Sequence, residues 1–176
     1  CGFGAADAAA LARRRSGRPG LNAHPTDNRM ELILWRHAEA EAGEPDLGRA
    51  LTGKGEKQAR RMAEWLHAHL PESARILVSP AKALAEIGHR KLRTVEQIAP
   101  GASAADLLAV ADWPSARQAV VIVGHQPTLG WVVSELLTGS PQGWSVKKGA
   151  VWWLQSRARD GEDQVVLRAV VNPDLI

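Results

Sequence analysis

Three short runs without a polar residue constrain this chain more than any other feature: Leu32-Ile33-Leu34-Trp35, Ile76-Leu77-Val78 and Val120-Val121-Ile122-Val123. A strand with one wet face alternates apolar and polar side chains. A strand apolar at every position is covered on both faces, the condition of a parallel sheet held between helical layers. The intervening segments supply the helices. Thr52 predicts the cap of a helix from about Gly53 to Leu70, with Ala59, Met62, Ala63 and Leu66 on one face and Pro71 beyond its end. Ser103 predicts the cap of a helix through Val110, and Pro127 stands at or near the start of one through Leu137, where its missing N–H costs little. Weaker signals predict a helical stretch after Pro80, a strand at Leu92–Val95, and late strands at about Ala150–Gln155 and Gln164–Val171. The expected fold is α/β: a three-layer α/β/α sandwich with a mostly parallel central sheet.

The 176 residues suit one domain, placed at 30–176. Residues 1–29 carry five arginines against two aspartates, which accounts for the whole net charge of +3. They read as a flexible N-terminal extension or an upstream segment. Since the remainder is neutral, no basic patch on the domain signals nucleic-acid binding. No apolar run approaches the ~18 residues of a membrane span. Cys1 is the only cysteine, so a disulfide framework and a thiolate metal site within the domain are excluded, in keeping with a cytoplasmic protein. Of the seven tryptophans, Trp152 and Trp153 fall in a late strand, where one faces inward and the other outward. Core packing is the expected role of the tryptophans, with a cleft rim as the alternative for Trp35 or Trp131.

In open parallel sheets, sites form beyond the carboxyl ends of the strands. Two such ends carry histidine: Arg36-His37 after the first strand and Gly124-His125-Gln126-Pro127 after the strongest one. A neutral imidazole has an ordinary pKa of ~6.5 and a free lone pair near pH 7. It can attack phosphorus and carry the phosphoryl group covalently. Arginine suits the accompanying charge, because its planar fork binds phosphate oxygens in pairs. Arg36 adjoins His37, and Arg49 lies on the following loop. The start of the helix after His125 could add N–H groups. His67 and His69, two apart on a helix, do not share a face and read as surface residues, so metal chemistry is not expected.

The ordered set Leu34-Trp35-Arg36-His37-Ala38-Glu39-Ala40, Asp46-Leu47-Gly48-Arg49-Ala50-Leu51-Thr52 with Gly55, Val78-Ser79-Pro80 and Val123-Gly124-His125 with Pro127 resembles the histidine phosphatase superfamily, which includes the phosphoglycerate mutases. The short chain and the Arg-x-Leu-Thr loop resemble its SixA-type phosphohistidine phosphatase branch, over about residues 31–171. The resemblance implies a phosphoglycerate mutase-like fold and a metal-independent phosphatase without cofactor. His37 would be the phosphorylated nucleophile, with Arg36 and Arg49 binding the phosphoryl group and His125, next to Gly124, completing its pocket. Asp46 is the first candidate for proton transfer and Glu39 the alternative acid. The expected substrate is phosphohistidine in a partner protein, with a small phosphorylated metabolite as the alternative. The protein itself is expected to be a monomer or weak dimer.

One departure stands out. After Ser-Pro the family continues with two residues, then Arg-Ala and Gln-Thr, whereas this chain reads Ala81-Lys82-Ala83-Leu84-Ala85-Glu86-Ile87. Lys82 replaces the charge only as a point, without the fork. The missing arginine motivates a further alternative, a non-catalytic phosphoryl-binding module.

Overall fold

The apolar runs become the middle of a six-stranded sheet. The computed structural model describes residues 29–42, 49–80, 90–159 and 162–176. Its strands are β1 (Glu31–Arg36), β2 (Arg75–Val78), β3 (Leu92–Thr94), β4 (Val120–Gly124), β5 (Val151–Arg159) and β6 (Glu162–Val171), in the order β3-β2-β4-β1-β5-β6. The first four run parallel, and β5 and β6 add an antiparallel hairpin to the β1 edge. The late strands are longer than their apolar pattern predicts. Pairing between β5 and β6 continues from Gln155↔Val166 to Arg159↔Glu162, beyond the point where β1 stops covering them.

Alternate residues of the central strands feed two separate cores. Leu32, Leu34, Leu77, Val120 and Ile122 pack with helices α2 (Ala104–Ala111) and α3 (Thr128–Thr138) on one face. Ile33, Trp35, Ile76, Val78, Val121 and Val123 pack against α1 (Gly53–His69) on the other, through Met62, Ala63 and Leu66. The three-layer sandwich follows, and truncating a fully buried side chain such as Leu66 would cost about 2–5 kcal/mol. Trp153 enters the α1-side core and Trp152 packs against the opposite one, so both tryptophans meet protein rather than one facing water.

The helix ends follow their capping residues. Thr52 Oγ1 accepts the Gly55 N–H at 2.9 Å. Ser103 and Asp106 form a reciprocal capping box. Gly139, in the left-handed region at φ 78°, ends α3. The predicted helical stretch at 81–89 and the N-terminal segment up to residue 28 lie outside the described residues. Among the described residues no helix is long and apolar enough to cross a membrane.

Candidate active site

Strand register brings the two histidines together. In the parallel β1–β4 pair Arg36 lies opposite Gly124, so His37 and His125 leave the sheet side by side. In the β2–β4 pair Val78 lies opposite Val123, which brings Ser79 to the same edge. The amides of His37 and Ser79 extend the ladders by donating to Gly124 O at 3.2 Å and Val123 O at 3.1 Å. The imidazole centroids are 4.8 Å apart, with the rings inclined at 45°.

The two rings are held differently. His37 Nδ1 is 2.8 Å from the carbonyl oxygen of Ala38. A carbonyl only accepts, so this contact fixes the neutral ring with its proton on Nδ1 and its lone pair on Nε2. His125 is buried, with Nε2 at 2.8 Å from the Ser79 hydroxyl. Its Nδ1 is buried without a hydrogen-bond partner among the described residues. Burial lowers the pKa of both rings. For His37 the Ala38 hydrogen bond opposes that fall, while Arg36, Arg49 and Lys148 add to it. For His125 burial leads, followed by His37, Arg36 and Arg49, and the pKa falls to about 4. Both imidazoles are therefore neutral at pH 7.

The rings open into a cavity of about 210 Å³ lined by Arg36, His37, Arg49, His125, Gln126 and Lys148, with Ala40 and Pro100 completing the wall. No carboxylate is among these residues. Arg36 is half-buried, and its Nη1 donates to Val146 O at 2.6 Å. Burial lowers its pKa from the ordinary guanidinium value, but the group stays charged. Arg49 reaches the cavity because its loop returns beside the chain that leaves β1. Glu41 N donates to Ala50 O and Thr52 N to Glu39 O, at 2.9 and 3.0 Å. The start of α1 seals this return. A Cβ on Gly55 would lie 1.9 Å from Glu39 O, so only glycine permits the approach.

The structure thus brings together Arg36, His37, Arg49 and His125. Gly124 contributes its backbone to the His37 amide and is not part of the lining. Glu39 is not in the lining either: its carboxylate meets Thr52 Oγ1 at 3.4 Å and Lys54 Nζ at 3.3 Å, at the start of α1. Asp46 and Lys82 lie outside the described residues. Three of the first four amides of α3 are already taken. Leu129 N donates to His125 O, Trp131 N to Pro127 O, and Gly130 N to the Gln126 side chain. Trp35 is buried and Trp131 packs in the α2/α3 core, so neither forms a rim.

Sequence reasoning missed Lys148 and Gln126. Lys148 sits in an irregular connection, and only Gly149 beside it marked a turn. Gln126 was visible as the variable position of Gly-His-x-Pro but carried no chemical signal of its own.

Comparison with known proteins agrees with this geometry. Over 127 residues the chain is 34% identical to the phosphohistidine phosphatase SixA homolog of Haemophilus influenzae, spanning 61% of this chain and 77% of that protein. The chain belongs to the SixA family of phosphohistidine phosphatases. It is 30% identical over 124 residues to SixA of Escherichia coli, spanning 62% of this chain and 76% of that protein. The fold matches a SixA structure from Nakamurella multipartitia with a TM-score of 0.67 at 27% identity, over 82% of this chain and 96% of that one. A SixA complexed with tungstate shares the fold at 23% identity, with a TM-score of 0.61 over 83% and 99% of the two chains. No family model matches this SixA-type chain.

Proposed function

We propose that this protein hydrolyses phosphohistidine on a partner protein through a covalent phosphoryl intermediate on His37. The observation that carries the proposal is the tautomer lock. With Nδ1–H committed to Ala38 O, the Nε2 lone pair is available in a cavity whose charged side chains, among the described residues, are all cationic.

In the first step, Nε2 attacks phosphorus as the bond to the leaving nitrogen breaks. The electron pair and a proton go to the leaving imidazole. Arg36 and Arg49 offset the charge on the equatorial oxygens, where positioning and electrostatics supply most of the catalysis. His125, braced by Ser79, offers Nδ1 as a donor to a phosphoryl oxygen, whose arrival would satisfy that nitrogen. In the second step, water attacks phosphorus, the P–Nε2 bond breaks, and inorganic phosphate leaves as His37 is regenerated. Asp46 remains the proposed proton carrier. Glu39 is engaged by Thr52 and Lys54 and is the less suited of the two acids.

Two features favour a protein substrate. The curated relatives are named phosphohistidine phosphatases. The cavity also falls below the ~300–1,000 Å³ usual for small-molecule sites, so it suits a phosphoryl group whose carrier stays outside.

The test is trapping. Wild-type protein given a labelled phosphohistidine-bearing domain is expected to acquire acid-labile label at His37 and release inorganic phosphate, while His37→Ala does neither. Label at another residue, or turnover surviving in His37→Ala, overturns the mechanism. Preferred turnover of small phosphomonoesters overturns the substrate class.

A further inference from the structure

Between α3 and β5 the chain has no regular structure, yet it is fixed against the active site at several points. Gln126 Nε2 donates to Trp144 O at 2.8 Å. A Cβ on Gly130 would lie 1.9 Å from the same carbonyl oxygen, so the connection rests directly on α3. Val146 is fully buried and gives its carbonyl to Arg36. Gly149 N lies 3.1 Å from both Arg36 O and His37 O, and Trp35 Nε1 donates to Gly149 O at 3.2 Å. A segment pinned this way places its side chains reproducibly.

Its two consecutive lysines diverge. Lys147 Nζ lies 4.0 Å from an Asp174 carboxylate oxygen, near the C-terminus. Lys148 lines the cavity. We infer that Lys148 is a substrate-capturing residue of this site, an exposed ammonium at the mouth that binds a phosphoryl oxygen before Arg36 and Arg49 enclose the group. The inference rests on the phosphatase reading and adds a residue that the sequence motifs do not mark.

Position and charge argue together. The backbone of Lys148 adjoins Gly149, whose amide touches the His37 carbonyl, so the ammonium is delivered on the His37 side of the cavity. The electrostatics agree: Lys148 lowers the His37 pKa but is not among the groups acting on His125. Lys148 is exposed, whereas Arg36 and Arg49 are half-buried. A flexible, hydrated ammonium suits capture, because it reaches outward and gives a point charge rather than a fixed fork. With Arg36 and Arg49 it makes three basic side chains facing a dianionic phosphoryl group, so losing the outermost one should weaken binding more than chemistry.

The test measures inorganic phosphate inhibition together with kcat and KM on a phosphohistidine-bearing domain, for wild type, Lys148→Ala, Lys148→Arg and Lys147→Ala. Lys148→Ala is expected to raise both KM and the phosphate inhibition constant about 3–10-fold, with kcat changing less than about threefold, in line with loss of one charge-assisted contact. The acid limb of its kcat/KM profile should move to higher pH, because removing a cation eases protonation of His37. Lys148→Arg should restore affinity. Lys147→Ala, an equal loss of charge outside the cavity, should leave phosphate inhibition unchanged. Unaltered phosphate inhibition in Lys148→Ala beside an active wild type overturns this inference alone. Equal weakening in Lys147→Ala overturns it too, by showing a general field effect. A wild type that neither binds phosphate nor turns over substrate overturns the phosphatase reading as well.

Discussion

The two histidines occupy equivalent places in the fold and are held by opposite means. Each follows a buried, parallel strand, and the strands are neighbours in register. His37 is supported by backbone: its ring by the Ala38 carbonyl, its amide by Gly124 O, and its own carbonyl by Gly149 N. His125 is supported by a side chain, the Ser79 hydroxyl on Nε2. A carbonyl can only accept, so it dictates the His37 tautomer and leaves a nucleophilic nitrogen. A hydroxyl can donate or accept, so it orients His125 without fixing its proton. Register alone therefore makes the pair, and the hydrogen-bond partner differentiates it.

Breaking the pair at its two ends should give unequal losses. His37→Ala removes the atom proposed to form the covalent bond, and kcat is expected to fall by about 10⁴-fold or more, as for other nucleophile deletions. His125→Ala removes one donor to the transferring group, with an expected loss of about 10²–10³-fold. Single-turnover kinetics with trapping separate the two, since His125→Ala should still acquire label on His37, slowly. Comparable losses with no label in either variant would erase the distinction between the rings.

The supports can be broken separately. Ser79→Ala leaves both rings in place but frees His125 to rotate, and kcat is expected to fall about 10–100-fold, the usual range for loss of an orienting partner. Ser79→Thr keeps the hydroxyl and should recover part of the rate. The backbone support of His37 is reached through Gly149, whose φ of 74° suits glycine and whose Cβ would lie 3.1 Å from Pro173. Gly149→Ala is expected to destabilise the fold by about 1–3 kcal/mol and to lower activity through Arg36 and His37 together. Urea midpoints of the two variants check the contrast: Ser79→Ala should lose activity with little stability, and Gly149→Ala should lose both.

How much of this was legible in the sequence follows the same division. Apolar runs such as Val120–Val123 gave the strands, and Thr52 and Ser103 gave the caps, because burial and capping are local and leave local patterns. His37 and His125 were legible because each directly follows such a strand. Their pairing depends on β1 and β4 being neighbours, a contact between residues 88 apart that no local pattern encodes. Lys148 and the position of Val146 O depend on an irregular connection, whose course is set by side-chain and backbone contacts rather than by periodicity. The fate of Glu39 was hidden for a related reason: its carboxylate turns to Thr52 and Lys54 only because Gly55 lets α1 approach so closely.

The smallest expected effect concerns protons, where the two rings should behave alike. An unfolded histidine takes up its proton near pH 6.5, while folded His125 takes it up only near pH 4 and His37 at a value below 6.5. Between these limits the unfolded chain binds more protons, so stability should decline as pH is lowered from about 6.5 towards 4 and gain no further slope from His125 below that. His125→Gln, which keeps a polar side chain but cannot titrate, should flatten this decline in urea midpoints measured across the window. Activity should follow His37 instead. Protonation removes its lone pair, so the acid limb of kcat/KM should lie below pH 6.5 and remain in place in His125→Gln, since His125 is not among the groups that shift His37. A limb that vanished with His125 would assign the titrating nucleophile to the wrong strand end.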